Sequence, residues 1–407
     1  MSTPWSLRAA ALIALAGAPV FAVRAQQPAR LTTRAAETRF VDSILARMTL
    51  AEKLGQLNQP SGAGIETGPG GGERATRMAE LRRGGIGSFL NVVGADTTRA
   101  LQRIAVEQTR LHIPLVFGLD VIHGFRTVFP VPLGEAASFD PSLAERAARI
   151  AAVEASAAGI DWTFAPMVDI ARDPRWGRIV EGAGEDRYLG AVFAAARVRG
   201  FQGNDLTAHD AIAATAKHFA AYGAAEGGRD YNIADVSERT LRDVYLPPFY
   251  GAACAGAATF MASFNEIAGV PSHANRHLLT DILRNEWKYD GMVVSDYTGV
   301  WELINHGVAA DSAQAAELAI HAGVDMDMVS ELYVRKLAAS VAAGRTRQPD
   351  IDEAVRRVLR FKYRLGLFKD PYGRRDATRE RTAMLTPANR AAAREAARRS
   401  IVLLKND

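Results

Sequence analysis

The sequence predicts an α/β fold: a TIM-type (β/α)8 barrel followed by the truncated start of a second α/β domain. Three observations predict it. Short apolar runs alternate with helical patterns along most of the chain, the order that builds βαβ units and a parallel sheet. The dinucleotide fingerprint Gly-x-Gly-x-x-Gly does not follow the first of these runs, which weighs against an open doubly wound sheet. Several runs end in polar or charged side chains, at Asp120, Lys217-His218 and Asp296, as barrel strands do when they deliver residues to one mouth.

The chain opens with a targeting pattern. Arg8 precedes an apolar stretch from Ala9 to Ala22, and Val23-Arg24-Ala25 puts small residues at cleavage spacing. This predicts a signal peptide over residues 1–25, cut after Ala25. The stretch is too short for a comfortable membrane span. Phe40 to Leu57 has helical spacing, and Thr49-Leu-Ala-Glu52 resembles a capping box. Ser61 to Gly72 is rich in glycine and reads as a loop. It is no phosphate loop, because the chain has no Gly-Lys pair.

Strands are predicted at Gly85–Leu90, Pro114–Asp120, Ile160–Ala165, Ile212–His218, Ala257–Phe264, Gly291–Asp296 and Val324–Asp327, with Leu303 and Ile304 as the candidate seventh. Between them, Thr97–Leu111, Pro141–Ala158, Gly190–Gly200, Ser237–Ala253, Ala274–Trp287 and Ala313–Ala322 read as helices, the fourth broken or kinked at Pro247-Pro248. Met292-Val-Val294 is the clearest strand, a continuous apolar run of the kind buried on both faces. Pro349-Asp-Ile-Asp-Glu353 opens a further helix with a box-like cap, and Ile351, Val355, Val358 and Leu359 form its apolar face. Residues 370–381 are polar and read as a linker, Pro387–Arg399 as a helix, and Ser400–Leu404 as the start of a strand. The expected organisation is a signal peptide over 1–25, the barrel over 26–369, and over 370–407 a linker with the first elements of a truncated C-terminal α/β domain.

Composition narrows the function classes. At 48% hydrophobic and 23% charged residues, the chain has the balance of a soluble globular protein with ample core. A formal charge of +4 over 407 residues argues against a dedicated nucleic-acid surface. Cys254 stands alone between small apolar residues. An intrachain disulfide is excluded, and a buried, inert thiol is expected. Export without disulfides fits a periplasmic or secreted bacterial protein, with no membrane contact once the signal is removed.

Chemistry concentrates at the strand ends. Asp296 can be a nucleophile, a base or a helix cap. Asp120, Lys217 and His218 would share its mouth in a barrel, a convergence that packing alone does not explain. Arg172-Asp-Pro-Arg-Trp-Gly-Arg178 places forked donors and a flat ring in one loop, suited to hydroxyls and a sugar face or to an ion-pair network. His-Glu-x-x-His, a cysteine cluster and Gly-x-Ser-x-Gly are all absent, which points away from a metal site and from a serine hydrolase. Carboxylates with hydrogen-bonding clamps suit glycoside hydrolysis.

The sequence resembles the N-terminal domain of glycoside hydrolase family 3, within it the bacterial periplasmic β-glucosidase group. The matching stretches are Gly118-Leu-Asp-Val-Ile-His-Gly-Phe-Arg126-Thr-Val-Phe-Pro, Ala165-Pro-Met-Val-Asp-Ile-Ala-Arg-Asp-Pro-Arg-Trp-Gly-Arg178, Lys217-His-Phe-Ala-Ala-Tyr-Gly, Met261-Ala-Ser-Phe-Asn, Gly291-Met-Val-Val-Ser-Asp296 and Ser400-Ile-Val-Leu-Leu-Lys-Asn406. The resemblance implies a retaining, exo-acting β-glucosidase that removes terminal non-reducing β-D-glucosyl residues with no cofactor. In that reading Asp296 is the nucleophile. Asp120, Lys217, His218, Arg178 and Arg126 hold the sugar, Arg229 falls where some relatives place another sugar-contacting base, and Met261 lines the pocket. β-Xylosidase and β-N-acetylhexosaminidase of the same family, and a non-catalytic sugar-binding fragment, are the alternatives.

Two departures stand out. Tyr297 occupies the place where many relatives carry Trp. The acid/base of the family's β-glucosidases is a Glu on a second domain, expected to pack on the barrel and missing here. The hexosaminidases use a His in the loop after the Lys-His pair, whereas Phe219 to Asn232 contains no His. Glu226 lies in that loop without an assigned role.

Overall fold

A computed structural model describes residues 27–62 and 71–406. The signal-peptide residues, and most of the glycine-rich loop, lie outside the described residues.

The described strands are short: β1 (Asn58–Gln59), β2 (Ser88–Leu90), β3 (Val116–Leu119), β4 (Trp162–Thr163), β5 (Thr215–Phe219), β6 (Thr259–Ala262), β7 (Glu266–Ile267), β8 (Val270–Pro271), β9 (Met292–Val294) and β10 (Asp327–Met328). β7 and β8 form an antiparallel hairpin outside the ring. The other eight are parallel neighbours in chain order. β2–β3–β4 and β5–β6–β9 are continuous sheets, and β10 pairs with β1. Single parallel bridges at Ser61–Leu90, Trp162–Ala213 and Val294–Met326 join them into a closed ring. Closure removes the edges of the ring, so its apolar strands can be buried on both faces.

Two predictions about strands are corrected. Leu303 and Ile304 belong to a helix, Gly299–Asn305. Val300 and Leu303 bury the inner side of that helix, and two adjacent apolar residues cannot distinguish the helical period from a strand. The eighth strand is instead β1, which precedes the first predicted one. Its residues are polar yet fully enclosed. Gln59 Nε2 donates to Ser88 Oγ at 2.7 Å and Asn58 Nδ2 to the Gly85 carbonyl at 3.1 Å. Amides paired through their nitrogens inside a barrel, with Asn58 Oδ1 and Gln59 Oε1 buried and unpaired among the described residues, leave no hydropathy signal.

The helices follow the expected periods more closely. Thr49 and Glu52 form the reciprocal capping box. The helix Gln348–Arg364 buries Ile351, Val355, Val358 and Leu359 completely. Its box-like cap does not form, because the cap position falls on Arg347, which has no acceptor and forks onto Asp350 instead. A helix at Gly71–Arg82 was not anticipated behind the glycine run. Cys254 is exposed rather than buried, since it ends the helix Pro247–Cys254, whose inner side is taken by Pro248, Phe249 and Ala252.

Inside the ring, Trp162 Nε1 donates to Thr215 Oγ1 at 2.7 Å and Thr259 Oγ1 at 2.9 Å, joining β4, β5 and β6 across the core. Near the N-terminal ends of the strands, buried Lys362 donates to Gln56 Oε1 and the Pro114 carbonyl.

The stretch 370–381 differs from a free linker. Arg375 is wholly buried and meets Asp161, next to β4, at 2.5 Å. A charge enclosed this way persists only with a paired opposite charge. The helix Ala377–Ala383 follows, and the helix Pro387–Arg399 sets Ala392 and Ala396 against Leu143, Ala147 and Phe129. Residues 400–404 form no strand, and Ile401 to Leu404 are exposed; an isolated segment has no ladder partner to fix it as one.

Candidate active site

Asp120, Lys217-His218 and Asp296 stand at the C-terminal ends of β3, β5 and β9. The ring geometry therefore brings three distant stretches to one mouth. Met261, two residues beyond core-facing Thr259 on β6, shares its inward face by strand alternation and is buried.

Asp296 is held on all sides but one. Its backbone N–H donates to His273 Nε2 at 2.9 Å. Its carbonyl accepts from Ser295 Oγ at 2.9 Å and from the Gly299 amide at 2.9 Å. Its Oδ1 accepts from the Tyr297 amide at 2.7 Å. Oδ2 is buried and has no hydrogen-bond partner among the described residues. It faces His218 Nε2 at 3.6 Å. One carboxylate oxygen is thus anchored and the other left available.

The electrostatics oppose one another. Burial pushes the Asp296 carboxyl up to about 6, and Lys217, the Tyr297 amide and Arg178 pull it back while Asp120 pushes it further up. The outcome is a carboxylate largely ionised at neutral pH. Lys217 Nζ lies 2.5 Å from Asp120 Oδ1, the lysine buried and the aspartate half exposed. Burial works hardest against the charge of Arg178, but the hydrogen bonds and charge of Glu181, together with the charge of Asp296, outweigh it and raise the guanidinium above its usual value. Those bonds are forked, at 2.7 and 3.0 Å. The guanidinium also sits over the Tyr222 ring, 5.5 Å from its centre.

His218 is oriented by Asp169. That carboxylate accepts from His218 Nδ1 at 2.9 Å, from the His218 amide at 2.8 Å and from the Tyr222 amide at 3.2 Å. Burial, reinforced by Arg178 and Lys217, drives the imidazole well below its ordinary pKa. With Nδ1 committed to Asp169, Nε2 is the nitrogen presented to Asp296.

Tyr297 follows Asp296 with its side chain half exposed. Arg126 and Arg229 are also exposed. The Arg126 guanidinium lies against the Phe125 ring and its amide on Glu154. The Arg229 amide reaches the Glu226 carbonyl. Among the described residues, neither forms a hydrogen bond or ion pair with Asp120, Lys217 or Asp296.

Sequence reasoning missed several groups at the site: Asp169, Glu181, Tyr222, Tyr231, Phe264 and His273. Asp169 and Tyr222 sit inside matching stretches, nine residues before Arg178 and four after His218, and only their packing reveals what they do. Tyr231 leans on Phe264 with 4.4 Å between ring centres. Burial raises its hydroxyl pKa, and the Asp296 charge adds to that. His273 lies on a turn after the hairpin, with no spacing to mark it.

Chemically, the arrangement offers one buried, activated carboxylate oxygen beside an imidazole, an ammonium, a guanidinium and a second carboxylate. It can attack an electrophilic carbon while holding hydroxyls around it.

Comparison with known proteins agrees in kind. The sequence model of the "Glycosyl hydrolase family 3 N terminal domain" matches residues 49–361. The chain is 41% identical over 377 residues to a periplasmic beta-glucosidase of Salmonella typhimurium, covering 92% of this chain and 48% of that protein. It is 36% identical to a lysosomal beta glucosidase of Dictyostelium discoideum, covering 91% and 49%. A crystal structure of a mutant beta-glucosidase from Listeria innocua in complex with laminaribiose superposes with a TM-score of 0.86 at 40% identity, covering 90% of this chain and 52% of that one. The chain spans about half the length of the curated relatives it matches.

Proposed function

The chain belongs to glycosyl hydrolase family 3, and from that premise we propose that it is the (β/α)8 barrel of a retaining, exo-acting β-glucosidase. The observation that carries the reading is the free Oδ2 of Asp296, a buried carboxylate oxygen with no hydrogen-bond partner among the described residues, beside the 2.5 Å Lys217–Asp120 pair.

In this mechanism Asp296 Oδ2 attacks the anomeric carbon of a terminal β-D-glucosyl residue. The bond from that carbon to Oδ2 forms as its bond to the aglycone oxygen breaks. Asp120, Lys217 and His218 hold ring hydroxyls, Arg178 adds positive charge from beside Tyr222, and Met261 and Tyr297 bound the pocket. Arg126 and Arg229 act from the exposed loops. Hydrogen bonds to the ring strengthen as oxocarbenium character develops. The departing oxygen takes its proton from a Glu on a second domain that packs against the mouth. The Glu carboxylate left behind takes a proton from a water, which attacks the same carbon from the face vacated by the aglycone as the bond to Oδ2 breaks, freeing the Asp296 carboxylate and releasing glucose with its configuration retained.

The barrel is assigned to residues 26–369 and the start of the second domain to 370–407. The enzyme acts in the periplasm or outside the cell after cleavage behind Ala25, and the mass of the exported protein tests that boundary. Among the described residues no helix is long and apolar enough to cross a membrane.

A dinitrophenyl fluoroglucoside tests the central claim. Its leaving group needs no acid, and the fluorine slows hydrolysis of the glycosyl-enzyme. Peptide mass spectrometry is expected to find the sugar on Asp296. A label on any other residue, or none, overturns the assignment.

A further inference from the structure

We propose that His273 is a positioning residue for the nucleophile: a neutral imidazole that accepts the backbone N–H of Asp296 and fixes the aim of its free oxygen. The inference rests on the reading of Asp296 given above. It adds a residue outside every stretch that the sequence marked.

The geometry is specific. A backbone N–H can only donate, so the nitrogen it meets must carry a lone pair. His273 Nε2, at 2.9 Å from the Asp296 amide, is therefore bare and the ring proton sits on Nδ1. The Ser263 backbone beside the ring raises its pKa, against the larger effect of burial. Ser263 follows β6, so the imidazole sits between the end of β6 and the residues that follow β9. Burial keeps the ring neutral, holding its pKa at about 3, with the charge of His306 adding to the effect.

Sterics point the same way. Asp296 to Gly299 form a turn closed by the Gly299 amide on the Asp296 carbonyl at 2.9 Å. The ring of His273 fills that turn. A Cβ on Gly299 would lie 2.2 Å from Nε2, so only glycine leaves room for the imidazole there. Phe264 packs near the ring, 6.1 Å between centres. Tyr297 anchors Oδ1 from one side and His273 holds the main chain from the other. Rotation of the turn that would swing Oδ2 away from the mouth breaks the bond to His273.

The full chain and two variants test the proposal, with the dinitrophenyl fluoroglucoside as probe. His273→Phe fills the space without an acceptor, and His273→Gln keeps an acceptor oxygen. Expected are a maximal trapping rate about 10- to 100-fold lower in His273→Phe, glucose affinity within about 2-fold of the parent, and recovery of most of the rate in His273→Gln. If His273→Phe does not fold, His273→Ala with added imidazole is measured instead, and the imidazole is expected to restore trapping. Parental trapping in His273→Phe, equal losses of rate and glucose affinity, His273→Gln as slow as His273→Phe, or no rescue by imidazole each overturns the inference. A parent chain labelled away from Asp296 is a different failure. It removes the nucleophile assignment itself, and this inference falls with it.

Discussion

The ammonium of Lys217 lies 2.5 Å from Asp120 Oδ1, although the two residues are 97 positions apart. The pair is asymmetric: the cation is enclosed and the carboxylate is open to the mouth. Lys217 also lowers the pKa of Asp296 through space, while Asp120 raises it. A hydroxyl-bearing ligand at this position meets both charges at once.

Replacing Lys217 by Met is expected to weaken glucose binding about 10- to 100-fold, the range for losing a charged hydrogen-bonding partner at a buried site. The change also removes a charge that keeps Asp296 ionised, so the acid limb of the trapping rate moves to higher pH. Calorimetry with glucose and a pH series with the fluoroglucoside read the two effects separately.

The pH dependence of trapping in the parent chain has a defined sign. The nucleophile must be ionised, and its carboxyl is pushed up to about 6. The rate is therefore expected to be level at neutral pH and to fall about tenfold per pH unit below that value. Asp120→Asn removes a repelling charge and shifts the limb to lower pH. A limb near the ordinary carboxylate value of about 4 in the parent contradicts the burial argument.

Asp296→Asn separates reactivity from stability. The folded carboxyl titrates near 6, above the value of about 3.9 in an unfolded chain. Its favourable contribution to folding is complete below the unfolded value and is lost as pH rises through the folded one. At neutral pH the ionised group opposes folding. The Asn variant is expected to trap no sugar yet to be more stable there by about 1–3 kcal/mol. Near pH 4 the gain shrinks. Thermal unfolding at the two pH values checks it.

Arg375→Met leaves Asp161 with a buried charge and, among the described residues, Arg374 at 3.8 Å as its remaining ion-pair partner. A loss of about 3–5 kcal/mol is expected, the cost of breaking one side of an enclosed ion pair. Urea unfolding of the variant against the parent measures it, and a change under about 1 kcal/mol contradicts the structural role assigned to this contact.

The sequence was most legible where one period dominates. Met292 to Val294 and the face Ile351-Val355-Val358-Leu359 announce a buried strand and an amphipathic helix, and both are found. It was least legible where polar groups are enclosed. Asn58 and Gln59 look like loop residues, and their amides become strand-forming only once Ser88 and Gly85 are beside them. Arg375 reads as solvated until Asp161 appears across the fold. The site divides in the same way. Residues that end apolar strands, such as Asp120 and Asp296, could be picked out. Asp169 and His273 act through neighbours, and a linear string carries no mark of a hydrogen bond to a main-chain amide.

The pairing of β1 with β10 has a consequence for biosynthesis. Asn58 emerges from the ribosome early, but its partner Asp327 belongs to the last strand of the ring to be translated. Until then the nascent half-barrel presents two open flanks, the condition in which unfinished sheets recruit each other. The polar character of β1 suits that interval, because an exposed Asn-Gln pair invites fewer unwanted partners than an apolar strand while it waits.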